Sequence, residues 1–495
     1  MLIVKGRIIV LAEVTLKEKT SKGLFWGGMS NFLQQLLNAV FGIYLARTLS
    51  PDDYGLVGML TVFNMLALTL QEGGFVSALI NRKEIRHEDY NSVFWFNLLM
   101  ALACYIILFF CAPLIANYFH QPVLVKLARW SFLSFVLAGF GTAHRAYLTK
   151  RMMIRELAIV NIIAVILSGS LGVYLAWKGY AYWTLVIQAL VLGFLTNAGF
   201  WICSKWRPSF RIKFSPVREM LRYSVKLIVT SMLGILNNSV LTVILGRYYP
   251  VDEVGYYTQA GKWSTMGVSV LSGMVNSVAQ PVLVSVAEER DRQLRVFRKM
   301  IRFAAFISFP CMFGLAFIAP EFISVLLTDK WEGLIVLLQI LCVAGSVTPI
   351  IYICVNLLLS LERSSQYMWC TLALLASTLI VVMLLHPLGI TWMVLGTSLL
   401  NMLWLFVWVA LVRKEIGYQF LQLLKDILPF MGFTVLSIAL AWLVARNIEY
   451  QVIRLVAKIL LTALAYVLIM WGARSVTFKE CLQFLMRRKM ENKNT

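Results

Sequence analysis

About fourteen stretches of mostly apolar residues, each 20 or more residues long, follow one another from Leu24 to Gly472 with short polar loops between them. A helix rises about 1.5 Å per residue, so roughly 20 residues cross a hydrocarbon layer about 30 Å thick. A segment in lipid must satisfy its backbone polar groups internally, and these runs lack the alternation of barrel strands. The chain reads as an all-α polytopic membrane protein of about 14 transmembrane helices. With 60% hydrophobic and 14% charged residues it is too apolar for a soluble enzyme of its size. No loop is long enough for a separate soluble domain, so activity belongs in the membrane or at its surface.

The spans are placed near 24–46, 55–80, 91–119, 123–149, 157–177, 181–203, 222–246, 254–282, 300–327, 333–359, 367–386, 388–412, 427–445 and 453–473. The N-terminus, the even-numbered loops and the C-terminal tail then carry most of the 45 Lys+Arg. Basic loops stay in the cytoplasm, which puts both termini there. The net charge of +21 thus reports orientation and contact with anionic membrane lipids, and no nucleic acid is expected. Leu2–Val14 is apolar but interrupted by Lys5, Arg7 and Glu13 and is too short to span.

The outer loop after span 1 contains Leu45, Arg47, Asp52, Asp53 and Gly55; the loop after span 7 contains Leu245, Arg247, Asp252, Glu253 and Gly255. The match lies at an offset of 200, as do Asn38 and Asn238. Six spans separate the two loops, so the repeats share one orientation, a transporter design. The organisation predicted is a cytoplasmic segment 1–23, an N-lobe 24–203 and a basic linker 204–221. A C-lobe 222–412, two additional spans within 413–473 and a basic tail 474–495 complete it. The two lobes are parallel-repeat six-helix bundles.

Function in such a chain should lie with its buried polar groups. Asn31, Gln34, Gln35 and Asn38 fall on one face of span 1. Span 2 offers Asn64 and Gln71, and span 7 offers Asn237 and Asn238. Span 8 carries a row through Gln259, Lys262, Met266, Ser269, Gly273, Asn276 and Gln280. Amides facing lipid leave hydrogen bonds unmade, so these faces are expected either to line a hydrated cavity or to bond neighbouring helices. Arg145, Lys226 and Lys262 are cations inside spans, either ligands of a diphosphate head group or side chains that snorkel to the interface. Glu72 is read as the one acidic residue well inside a span, with ion coupling and a fixed salt bridge as its two roles. The four histidines form no metal pair, and seven of the eight cysteines lie in apolar spans without metal spacing, so neither metal nor cofactor is expected.

Gln71–Lys83 followed by Glu88–Asn97, and Leu49–Gly55 after span 1, resemble the WzxC-like lipopolysaccharide and exopolysaccharide translocases. Val254–Ala260, Gln280-Pro281, Phe309-Pro310 and Lys330-Trp331 extend the resemblance through the second half. These translocases belong to the multidrug/oligosaccharidyl-lipid/polysaccharide (MOP) exporter superfamily. They usually begin close to their first span, so residues 1–16 read as an extension, with Val14 or Leu16 as an alternative start. The resemblance implies no enzyme but an inner-membrane flippase for undecaprenyl-diphosphate-linked oligosaccharides, serving O-antigen, capsule or exopolysaccharide assembly. It implies alternating access driven by an H+ or Na+ gradient. A glycan polymerase and a chain-length regulator are the protein partners expected.

Three rivals stand beside it. A multidrug/cation antiporter of the superfamily has typically twelve spans and a carboxylate site, against fourteen spans and mainly positive buried charge here. A peptidoglycan-precursor flippase shares the span count and cationic cavity but fits the loop motifs less well. A glycan polymerase or ligase needs a large outer loop, and every outer loop here is short.

Overall fold

The structure is a computed structural model that describes residues 26–72, 79, 85–210, 215–286, 289–480 and 483. For 72, 215–224, 226–227, 274, 276–278 and 280–281 it describes the backbone alone. The helices are α1 (26–48), α2 (Pro51–Glu72), α3 (His87–Tyr118), α4 (Leu124–Ser131), α5 (Leu133–Lys150), α6 (Ile154–Trp177), α7 (Trp183–Cys203) and α8 (Ser215–Tyr248). They continue with α9 (Val251–Ser285), α10 (Arg290–Phe322), α11 (Leu334–Gly345), α12 (Thr348–Ser360), α13 (Ser364–Leu385), α14 (Ile390–Ile416), α15 (Phe420–Ala445) and α16 (Gln451–Gly472).

Among the described residues, twelve segments are long and apolar enough to cross a membrane, counting α4 with α5 and α11 with α12 as single crossings. The two long helices outside that set are α1 and α9, which carry the richest rows of amides. The fold is thus the all-helical polytopic one expected.

Local chemistry sets the joints. Ser50 caps α2: Asp53 Oδ2 accepts from the Ser50 backbone N–H and from its hydroxyl at 2.9 Å, and the Asp53 N–H donates back to Ser50 Oγ at 3.3 Å. Pro51 follows at the first helical position, where its missing N–H costs nothing. The crossing Leu334–Ser360 breaks between Gly345 and Thr348. The Ser308 hydroxyl of α10 donates to the Ser346 carbonyl there, so the broken backbone is satisfied by a neighbour.

By contacts the chain forms two compact units, Met1–Gly255 and Tyr256–Thr495. The division falls beyond the linker 204–221 where the sequence places it, because α8 packs on α2 and α3. The linker itself is fastened to the first unit: Trp95 Nε1 donates to Ser209 O and the Ser209 N–H to Asn91 Oδ1, both at 2.8 Å. Trp206 Nε1 donates to His87 Nδ1 at 2.9 Å. In the second unit α10 is the hub, packed on α11, α15 and α16, and the core around it includes Phe297, Ile301, Phe309, Ile350, Val409, Phe430 and Tyr466.

The repeated loop motifs meet. A Cβ on Gly55 would lie 2.1 Å from Val251 O, and one on Gly255 would lie 1.9 Å from Pro51 O. Each glycine thus admits the first turn of the other motif's helix, a reciprocal crossing with the symmetry of the repeat. Arg247, of the second motif, donates to the carbonyls of Asn117 and Tyr118 and caps the C-terminus of α3.

Candidate functional site

Helix α1 presents two opposite open faces of unlike chemistry. Phe32, Leu36, Val40 and Tyr44 are exposed on one, and Asn31 and Asn38 on the other, with Gln34 and Gln35 half-buried between them. Gln34 Nε2 bonds back to Ser30 Oγ at 2.8 Å. One side is fitted to lipid. The amide side is not, since hydrocarbon offers amides no partner, so it is fitted to water or a polar ligand. Phe41 fixes the rotation of α1: its ring occupies the space beside Gly169 of α6, 2.3 Å from where a Cβ would stand.

Arg145 is exposed within a run of α5 in which 141–144 and 146–148 are buried. A guanidinium that opens out of an otherwise packed turn can meet an anionic group. Lys262, Ser269 and Gly273 are exposed along one row of α9, and Asn238 is exposed on α8, with Asn237 half-buried next to it.

Other residues of the polar faces serve packing. Gln71 is fully buried; with its nitrogen toward Phe135 O (3.1 Å) and its oxygen toward the Gly139 N–H (2.8 Å), it ties α2 to α5. Asn64 donates to Ser131 Oγ at 2.8 Å, again joining α2 to the α4–α5 crossing. Both amides make the second of the two contacts expected of these faces, a bond to a neighbouring helix. Gln259 is also fully buried, with neither amide atom hydrogen-bonded among the described residues, so it does not line an open face. The side chains of Glu72, Lys226, Asn276 and Gln280 lie outside the described residues. Arg47 is exposed at the end of α1, and Asp52 and Asp252 stand at the first turns of α2 and α9.

Set against known proteins, residues 44–336 match the family model described as "Polysaccharide biosynthesis protein". The chain belongs to that family. It is 26% identical over 339 residues to the lipopolysaccharide biosynthesis protein WzxC of Escherichia coli (strain K12), covering 67% of this chain and 68% of the relative. It is 27% identical over 307 residues to the succinoglycan biosynthesis transport protein ExoT of Rhizobium meliloti (strain 1021), covering 62% of each. Its fold is that of the lipid II flippase MurJ in its inward closed conformation, with a TM-score of 0.70, 15% identity, and 90% of this chain and 99% of that one covered. The all-helical polytopic fold expected from the sequence is the fold this likeness shows.

Two charge clusters escaped the sequence reading. Glu321 of α10, 6% exposed, accepts from Lys458 of α16 at 2.7 and 2.8 Å, and Arg454 Nε lies 3.1 Å from it. Glu321 is thus a buried carboxylate near the end of a span, one that the sequence analysis did not single out. Asp426 of α15, 1% exposed, receives Arg298 through two bonds of 2.9 Å, Arg302 at 2.6 Å and the Tyr418 hydroxyl at 3.2 Å. The signal available was periodicity: Arg298 and Arg302 are one turn apart, as are Arg454 and Lys458. Among the described residues no group of three His, Cys, Asp or Glu is placed to hold a metal ion.

Proposed function

We propose that this protein is a flippase that carries undecaprenyl-diphosphate-linked oligosaccharide across the inner membrane for polysaccharide assembly. Membership of the polysaccharide biosynthesis family carries the reading. The names of its relatives, lipopolysaccharide biosynthesis for WzxC and succinoglycan transport for ExoT, support a glycan cargo. The amide face of α1 fits sugar hydroxyls, and Arg145 in the first unit and Lys262 in the second are each exposed cations of the kind that pairs with a phosphate group.

The reading has both termini in the cytoplasm, a glycan polymerase and a chain-length regulator as partners, and an H+ or Na+ gradient as drive. Non-enzymatic transfer fits a chain whose relatives are named as transport and biosynthesis proteins. Orientation is checked with single cysteines in an otherwise cysteine-free chain. Ser50→Cys and Asp329→Cys react with an impermeant thiol reagent in intact cells. Lys205→Cys, an exposed linker position, reacts only after permeabilisation. Labelling at Lys205 in intact cells overturns the orientation. Ser209 is unsuited to this test because its backbone is bound to Asn91 and Trp95.

Function is tested by flipping of lipid-linked oligosaccharide in proteoliposomes. Arg145→Ala and Lys262→Ala each reduce the rate about tenfold or more, as expected for losing a charged hydrogen bond worth about 1.5–3 kcal/mol. Lys restores Arg145→Ala only in part, lacking the bidentate fork. In the same assay Glu72→Gln removes the response to an imposed gradient if Glu72 carries the coupling ion. Wild-type protein that leaves the lipid-linked substrate unflipped overturns the reading; unchanged rates in both alanine variants move the diphosphate site elsewhere.

A further inference from the structure

The ion cluster at Glu321 lies beside an opening. A cleft of 270 Å³ sits where α10, the 328–333 loop and the start of α16 meet, all within the second unit. Its polar lining includes Glu321, Ser324, Asp329, Glu332, Gln451 and Arg454, and Pro320, Ile323 and Ile335 add an apolar wall. Four further observations converge on it. The helix α10 ends in a π-helical turn, Ile323–Leu327, a feature common at functional sites. Thr328 follows with φ 103° and ψ 162°, a conformation that glycine alone adopts without strain. Arg454, 30% exposed, is oriented by the carboxylate of Glu321, which Lys458 holds from behind. Trp331, fully buried, anchors the loop that carries Asp329 and Glu332.

We propose that this cleft binds one neutral sugar ring of a glycan at the outer end of the second unit, an inference that rests on the flippase reading above. The chemistry is complementary. Adjacent ring hydroxyls donate to carboxylates, so Asp329 and Glu332 suit them, while Arg454 and Gln451 donate to ring and hydroxyl oxygens. The C–H face of the ring meets Ile323 and Ile335. The volume is below the ~300–1,000 Å³ of drug-sized sites and suits a single ring. Charge excludes the rivals. Glu321, Asp329 and Glu332 outnumber Arg454 and Lys458, which disfavours an acidic sugar. No metal-holding group occurs among the described residues, which disfavours a divalent cation.

The test uses the full-length protein in nanodiscs. The probes are the methyl glycosides of glucose, galactose, mannose and rhamnose, with methyl glucuronide and calcium chloride as comparators. Saturation-transfer NMR reads the glycosides and the glucuronide, and isothermal titration calorimetry reads calcium. At least one neutral glycoside receives saturation, and Asp329→Asn and Glu332→Gln each weaken its binding about tenfold with unchanged melting temperature. Glu449→Gln, exposed in the α15–α16 loop and outside the cleft, leaves binding unchanged. The proposal fails if no neutral glycoside is saturated, if both cleft variants bind like wild type, or if glucuronide or calcium alone gives a response. Flipping measured on the same preparation separates the two ideas: transport without glycoside binding sinks the cleft site, and glycoside binding without transport sinks the flippase reading.

Discussion

Alanine at Gly255 lowers the stability of the folded protein by about 3 kcal/mol, and alanine at Gly55 by a similar amount, in the upper range for forcing atoms into a packed contact. The new methyl group would stand within 1.9 Å of Pro51 O in the first case and 2.1 Å of Val251 O in the second. Backbone on the far side cannot rotate away as a side chain would. Because both glycines serve one crossing, displacement forced by the first substitution makes room for the second. The double variant therefore costs clearly less than the sum of the singles. Melting curves of the three purified proteins check this, and two alanine variants that melt with wild type would show that the crossing tolerates separation.

Asp426→Asn produces the second large loss, about 3 kcal/mol, from leaving Arg298 and Arg302 facing one another without the carboxylate between them. The figure stands at the low end for a broken buried pair because Arg298 and Arg302 keep 28% and 41% of their side-chain surface in contact with solvent. Replacing all three with apolar residues of similar size, Arg298→Met, Arg302→Met and Asp426→Leu, recovers most of the loss. A triple variant as unstable as Asp426→Asn would mean that the cluster supplies more than mutual neutralisation.

The helical fold was legible because the physics behind it is local and repeated. Fourteen apolar runs need only length to be recognised, and the broken crossings at Phe132 and Ser346 still carry enough apolar sequence for one span each. The Asp53 and Gly55 positions were legible as a repeat; the cap that Asp53 makes with Ser50 is local to its own loop, whereas the backbone crossing at Gly55 appears only when the second copy is seen against the first. Polar faces were harder. Helical spacing places Asn31, Gln71 and Gln259 on stripes, yet it does not say what stands opposite. Asn31 is open, Gln71 is bonded to the backbone of α5, and Gln259 is enclosed. Glu321 and Lys458 were missed for a related reason: the partners are 137 residues apart, so neither announces the other along the chain.

The two charge clusters sit on one helix, about 35 Å apart along α10 given its rise per residue. Between them the Tyr466 hydroxyl donates to Phe306 O at 2.9 Å. A rod pinned near both tips and at its middle has lost its freedom to tilt against what pins it. Any rotation of α10 is thereby a rotation of α15 and α16 as well, and whatever bending the second unit undergoes must be taken up by the helices that no such polar pins join to α10.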